Sequence, residues 1–298
     1  MTDMSAPDAR ITRTAGSRTT GPRTTGPRTT GRPPGAGPLL AAQVRYQLLL
    51  LSRNPRAMIL SLVFPLLILV LNSTARHDVS PQLETALVAG LATFGLIATA
   101  YVSHAIGLVT SRQDGVLRRW RATPLPAWCF FAGKIAATAL MALASVAIAV
   151  AGGIALFHAH VTPGAALSLL VTFTLGALAW TAIGTAVTTL IPAAQSAGPV
   201  LMLTYIPVIL FSGALGSQAG APHWLSTATS YLPAKPIISA AAQALQHSGG
   251  GIAFISGRDL AVLTAWAAVG VIASVCFFRW DPVRPQHAHV PGTHGGRA

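Results

Sequence analysis

Charged residues are scarce in this chain. Asp, Glu, Lys and Arg make up only 9% of its 298 residues, whereas 52% are hydrophobic. An ordinary soluble domain carries about a quarter charged residues. From 135 to 234 there is no Asp, Glu, Lys or Arg, and a soluble fold could not keep such a stretch wetted. The shortage excludes a soluble enzyme and predicts an all-α protein of the bilayer, where buried ions are costly.

Cysteine and lysine are nearly absent as well. Cys129 and Cys276 lie in or beside apolar runs, so neither a disulfide framework nor a Cys-x-x-Cys metal site is possible. A phosphate-binding loop needs Gly-x-x-x-x-Gly-Lys-Ser/Thr, but the only two lysines precede Ile135 and Pro236. We therefore predict that this chain has no ATP site of its own and no catalytic residue, metal or cofactor.

Six apolar segments are long enough to cross the hydrocarbon core, which takes about 20 helical residues. We predict transmembrane helices at about 57–73, 86–110, 136–157, 166–190, 198–216 and 260–278. The segment 217–258 also contains an uncharged stretch, but its glutamines and three consecutive glycines make a poor lipid-facing helix. We predict short external or re-entrant helices there, packed on the bundle.

Basic residues divide unevenly between the two sides of these spans. With the N-terminus in the cytoplasm, the inner segments hold seventeen Lys and Arg residues and the outer segments three. The positive-inside rule then places both termini in the cytoplasm. Residues 1–37 contain Arg-Thr-Thr-Gly-Pro repeats and are predicted to be a disordered tail. Residues 38–280 are then the membrane domain, and 281–298 a short disordered C-terminal tail. The arginines form no basic face of the kind that binds nucleic acid.

The segment 39–54 predicts an amphipathic helix at the membrane interface. Most of its leucines and Val44 fall on one face, whereas Gln43 and Gln47 fall elsewhere. The helix is expected to end at Asn54, because the residue before a proline avoids the α conformation.

The inner loop from Ser111 to Trp128 carries the most informative pattern. Asp114 and Gly115 can start a short helix with the acid near its positive end. Its apolar face would consist of Val116, Leu117 and Trp120, and its basic side of Arg118, Arg119 and Arg121. A short basic helix between two spans suits docking into a groove on another protein. The alternative is a loop that only sets the topology.

This loop resembles the cytoplasmic loop of ABC-2 type transporter permeases, in particular the daunorubicin drug-resistance group. The resemblance is carried by Asp114, Gly115, Leu117, Arg118, Arg119, Thr123, Pro124 and Leu125. The start of the domain is also similar, with Arg53-Asn54-Pro55-Arg56 ahead of an apolar span that contains Phe64-Pro65. The resemblance covers roughly 39–280.

The resemblance implies a six-helix ABC-2 permease bundle of the type V-like exporter kind in the bacterial plasma membrane. It implies two permeases, identical or related, that pair with two ABC ATPase subunits, and the partner subunits hold ATP and Mg. The residues implied in coupling to the ATPase are Asp114, Gly115, Leu117, Arg118, Arg119, Trp120, Thr123 and Pro124. The amphipathic helix would be a second contact with the ATPase. The expected function is export of a hydrophobic drug-like or lipid-like substrate.

Polar residues of the second and fifth spans are candidates for the substrate path. They are Thr99, Tyr101, Ser103, His104, Thr204 and Tyr205. Polar groups at such depths tend to face the bundle interior or a cavity, and the resemblance implies that these two spans line the path and the dimer interface. The alternative for each residue is ordinary bonding between helices, worth about 0.6 kcal/mol.

Two other functions are weighed against export. An ion- or proton-coupled secondary transporter usually has an acid or base within its spans, but the predicted spans contain no Asp, Glu, Lys or Arg. An intramembrane enzyme needs an acid/base or nucleophile system, and no carboxylate accompanies His104 within its predicted span. The sequence therefore favours the permease, with the secondary transporter as the alternative.

Overall fold

The computed structural model describes residues 36–52, 63, 66–71, 80–121, 127–157, 161–214, 222–246 and 256–277. Within these ranges all regular structure is helical, which confirms the predicted all-α class. Most of the first predicted span, 57–73, lies outside them, although 63 and 66–71 are helical. The two predicted tails, apart from 36 and 37, also lie outside the described residues.

Ten α-helices can be bounded in the described ranges. In chain order they are α1 Ala36–Ser52, α2 Pro81–Ile97, α3 His104–Gln113, α4 Val116–Arg121, α5 Ala127–Phe157, α6 Pro163–Val187, α7 Ala194–Ser212, α8 His223–Thr229, α9 Ala234–Gln246 and α10 Gly257–Phe277. A π-helical segment, Ala98–Ser103, joins α2 to α3, and a 3-10 turn, Thr188–Leu190, follows α6.

Five continuous helical stretches in this part of the chain are long and apolar enough to cross a membrane. They cover Pro81–Gln113, Trp128–Phe157, Pro163–Leu190, Ala194–Ser212 and Gly257–Phe277. They overlap the second to sixth predicted spans and support a multi-pass helical membrane protein. The count of six spans and the cytoplasmic placement of both termini stay predictions.

The third predicted span begins too late. α5 starts at Ala127 instead of 136, and its 31 residues extend over about 46 Å at 1.5 Å per residue. Lys134 therefore lies within a helix and not in a loop, and Arg112 likewise belongs to α3. The prediction stopped the spans at charged residues, whereas a helix continues through a long basic side chain that can reach polar partners. The absence of charge from these helices consequently holds only for their middle parts.

Local chemistry accounts for several helix ends. α6 begins with Pro163 directly after Thr162, whose hydroxyl oxygen accepts a hydrogen bond from the Ala165 amide at 3.2 Å, the usual arrangement for a capped start. α7 ends at Gly213, which has a φ of 79°. Glycine adopts this left-handed conformation without steric cost and so terminates helices.

The centre of the bundle is formed by the stretch Pro81–Gln113 and by α6. α5, α9 and α10 pack around these two central elements. α10 approaches α6 closely at Gly270, where an added Cβ would lie 2.8 Å from backbone atoms of α6. The outer faces of α7 and α10 remain apolar and exposed, with Leu203 and Val275 about four-fifths accessible, as expected of surfaces that face lipid or another subunit.

The predicted helix at 39–54 is present as α1, but its polar residues do not all lie away from the buried side. α1 packs against α5, and its buried side includes Gln43 and Gln47 rather than leucines alone. Leu49 and Leu50 are instead almost half exposed. Gln43 can be buried because α5 has a glycine, Gly133, opposite it. A Cβ at position 133 would collide with the Gln43 side chain.

The segment between α7 and α10 contains two short helices in its described part. α8 and α9 have 7 and 13 residues, too few to cross a bilayer, which agrees with the prediction of short packed helices. α9 buries Ile237 against Gly176 of α6, and Gln246 donates a hydrogen bond to the Thr85 hydroxyl at 3.0 Å. α9 therefore lies near the start of α2, far from the end of α3.

Candidate functional site

The turn between α3 and α4 sets the direction of the predicted coupling helix. α3 ends at Gln113, and Asp114 and Gly115 form the turn, where Gly115 has a φ of 70°. The amide of Asp114 donates to the Thr110 carbonyl at 2.9 Å, and the amide of Arg119 donates to the Gly115 carbonyl at 3.2 Å. The sequence prediction of a short helix directly after Asp114 and Gly115 is thus confirmed.

One leucine anchors α4 to the bundle. Leu117 is fully buried and forms a small apolar cluster with Leu108 of α3 and Phe130 of α5. Arg119 and Asp114 are exposed. α4 is therefore held on one side by an apolar contact while Arg119 faces outwards.

The remaining predicted coupling residues are placed only in part. Arg118 and Trp120 lie on α4, but the positions of their side chains are outside what the structure describes, and Thr123 and Pro124 lie in the undescribed range 122–126. The involvement of these residues in coupling stays a prediction.

The predicted path residues of the second span cluster around the π-helical segment. Thr99, Tyr101 and Ser103 all lie within Ala98–Ser103, a helix form that is frequently found at functional sites. The hydroxyls of Thr99 and Ser103 donate to carbonyls of their own helix, at 3.0 and 3.1 Å. These two side chains are therefore satisfied locally.

Tyr101 connects this segment to the predicted path residues of α7. Its hydroxyl lies 2.6 Å from the Thr204 hydroxyl, and its ring packs edge to face on Trp180, with centroids 5.4 Å apart. Tyr205 lies beside Phe94, with ring centroids 6.3 Å apart. The structure thus joins the second and fifth predicted spans at Tyr101 and Thr204, and the role of these residues in a substrate path stays a prediction.

His104 is tied to two other helices. Its Nδ1 lies 3.1 Å from the Thr138 hydroxyl of α5, and its Nε2 lies 3.0 Å from the Thr185 hydroxyl of α6. The side chain is only 4% exposed. Because both ring nitrogens have partners, this geometry favours bonding between helices over direct contact of His104 with a substrate.

Sequence reasoning missed Arg112 and Gln113. Arg112 falls in the predicted inner loop, but it is only 3% exposed, and its guanidinium donates to the carbonyls of Thr188 and Ile191. Gln113 accepts a hydrogen bond from the Ala194 amide at 2.8 Å. No local pattern could have found these bonds, because their partners lie more than 70 residues away.

The described residues contain no group of three or more His, Cys, Asp or Glu side chains that could share a metal ion. His158 and His160, two histidines close together in the predicted outer segment after the third span, lie outside the described ranges.

Comparison with known proteins gives one family. The family model described as ABC-2 type transporter matches residues 39–245, which is more than half of the chain and runs from within α1 to near the end of α9. A search of curated proteins found no match to this chain.

Proposed function

The chain belongs to the ABC-2 type transporter family, and from this premise we propose that it is the permease subunit of an ATP-driven exporter of hydrophobic, drug-like or lipid-like molecules. Membership makes it the membrane-spanning permease part of an ABC transporter, the part without the ATPase site. The proposal adds the direction of transport, the class of substrate, the bacterial plasma membrane and the drug-resistance group.

The energy must then come from ABC ATPase subunits that hold ATP and Mg. Both lysines of this chain lie in helices, Lys134 in α5 and Lys235 in α9, and neither follows the glycine pattern of a phosphate-binding loop. A pair of permeases, identical or related, would complete the transporter.

The geometry of α4 is the observation that carries this proposal. A docking element has to be stiff enough to transmit force and exposed enough to be bound. α4 is anchored through Leu117, oriented by the turn at Gly115, and presents Arg119 to solvent. Its position between two long helices would let a push on α4 reach both of them.

The class of substrate is supported by the character of the proposed path. The Tyr101 side chain is buried, with its ring on Trp180 and its hydroxyl next to the Thr204 hydroxyl of α7. The exposed face of α7 adds Leu203 and Phe211. Such surfaces bind apolar molecules by excluding water and offer no charge for an ionic substrate.

Co-purification tests this function directly. A tagged full-length chain is extracted from its native membranes in mild detergent, and the proteins that accompany it are identified. We expect an ABC ATPase subunit, and we expect the double substitution Arg118→Glu and Arg119→Glu to release it while leaving membrane insertion intact. Arg76→Glu is the matched control for charge reversal, because Arg76 lies in a predicted outer segment.

Two results would contradict the proposal. One is a chain that purifies alone, from membranes that show no ATP-dependent efflux of hydrophobic dyes. Ion-coupled transport would then become the favoured function. The other is an ATPase that stays bound, with normal transport, after reversal of both arginines, which would remove α4 as the coupling helix.

A further inference from the structure

α7 starts without a capping side chain of its own. The residue before its first turn is Ala193, whose side chain has no oxygen to accept a free amide of the helix start, where Ser, Thr, Asp or Asn is usual. Gln113, the last residue of α3, fills this role from another helix, since its Oε1 accepts from the Ala194 amide at 2.8 Å. The start of α7 is thus stabilised by the end of α3.

The neighbouring arginine binds the other side of the same connection. The guanidinium of Arg112 donates to the carbonyls of Thr188 and Ile191, at the end of α6 and its 3-10 turn. A cation there compensates the negative end of the helix dipole. A buried charge is costly unless its hydrogen bonds are satisfied, so Arg112 stabilises this arrangement only while these carbonyls remain in place.

Both residues lie directly before the turn that leads into α4. Only Asp114 and Gly115 separate Gln113 from the first residue of α4. Further along, Tyr101 contacts Thr204 of α7, so the second and fifth predicted spans are bonded at two levels, roughly ten residues apart on α7. A displacement of α4 would therefore act on α7 through short, directional bonds.

We propose that Arg112 and Gln113 are positioning residues that transmit the movement of α4 to α7 through the connection 188–194. This inference rests on the proposed permease function. Arg112 and Gln113 then do more than stabilise the fold, because their hydrogen bonds make α7 move together with α4.

The first test needs no partner protein. Amide hydrogen exchange is measured by mass spectrometry on the full chain in detergent, comparing the wild type with Gln113→Leu and Gln113→Glu. Loss of the acceptor in Gln113→Leu should speed exchange at 193–197 about two- to tenfold, the range for one lost hydrogen bond. Gln113→Glu retains an acceptor and should exchange like the wild type. Equal exchange in all three proteins would overturn the proposed contact.

The second test distinguishes transmission of movement from α4 to α7 from a purely structural role of the two residues. With the co-purified ATPase bound, ATP and vanadate are added, and exchange is compared at 116–121 and 194–205. In the wild type both segments should respond. In Gln113→Leu the change in exchange at 116–121 should persist, while the change at 194–205 should become smaller. Arg112→Lys keeps the positive charge but loses the planar guanidinium that reaches two carbonyls, and it should also make the change at 194–205 smaller.

The outcomes are distinguishable from one another. An unchanged response at 194–205 in Gln113→Leu would overturn transmission through these residues, even if the first test confirms the bond. A wild type that shows no response at 116–121 would instead contradict the proposed coupling role of α4, while the first test would still decide whether Gln113 caps α7.

Discussion

Substitution of Gly115 isolates the contribution of one backbone angle to coupling. Its φ is 70°, and an added Cβ would meet nothing within 4 Å, so a small side chain costs only conformational energy. That cost is about 1–2 kcal/mol for an ordinary L-residue in the left-handed region. It is lower for Asn and higher for a β-branched residue. The expected order of function is therefore Gly, then Asn, then Ala, then Val.

The conformational cost at Gly115 also predicts how much a substitution weakens binding of the ATPase. An energy of 1–2 kcal/mol changes the ratio between native and altered turns about 5- to 30-fold. If the ATPase binds only the native turn, the apparent Kd rises by the inverse of the competent fraction. About 30-fold is therefore an upper bound for Gly115→Ala, because the bonds around the turn resist its rearrangement.

Titration of the purified ATPase against each detergent-solubilised variant measures this effect. Gly107→Ala is the matched control, since its added Cβ would meet only the Lys134 ammonium at an ordinary 3.5 Å. If Gly115→Ala and Gly115→Val bind the ATPase as tightly as the wild type and support normal transport, the direction of α4 is not what the partner recognises, and the reasoning fails.

Three further predictions concern the bundle. Gly270→Ala should lower the unfolding temperature in detergent, because overpacking against the α6 backbone costs about 1–3 kcal/mol, whereas alanine gains about 1 kcal/mol in helix propensity over glycine. The control Gly107→Ala should not lower the unfolding temperature. Equal unfolding temperatures of the two variants would refute the close contact at Gly270. Tyr101→Phe should cost only about 0.6 kcal/mol of stability, since the Thr204 hydroxyl keeps its bonds to its own helix. A clear loss of dye efflux in this stably folded variant would support a role of Tyr101 in the path, and unchanged efflux would count against it. Burial lowers the pKa of Lys235 from its ordinary 10.5, so the folded protein binds fewer protons than the unfolded chain and gains stability as pH rises towards 10.5. The stability of the wild type relative to Lys235→Met should therefore increase from neutral to alkaline pH; a difference that does not change with pH would contradict this.

The short helix α4 could be predicted from local pattern to a large extent. Asp114 and Gly115 indicate the start of a short helix in the sequence, and the structure places α4 directly after them. The burial of Leu117 also follows from the expected apolar face. These features depend on a few consecutive residues, whose conformational preferences act independently of the rest of the fold.

The roles of individual polar residues could not be predicted in this way. Thr99, Ser103 and His104 are all path candidates in the sequence, yet the first two bond their own helix and His104 bonds two other helices. Helical periodicity indicates which residues share a face, but it does not identify the helix that lies opposite. The alternative of bonding between helices, left open for each residue, is the one that the geometry favours at His104.

The sequence by itself determined that this chain is a helical membrane protein with apolar spans and a basic turn between two of them. Span length and hydrophobicity are set by the thickness and low polarity of the bilayer, and each segment meets these requirements without reference to its neighbours. Only the tertiary structure decided that Gln43 is buried against Gly133, and that Arg112 and Gln113 hold the start of α7. Buried polar groups need partners, and in a helical bundle those partners come from distant parts of the chain, because packing alone determines which helices become neighbours.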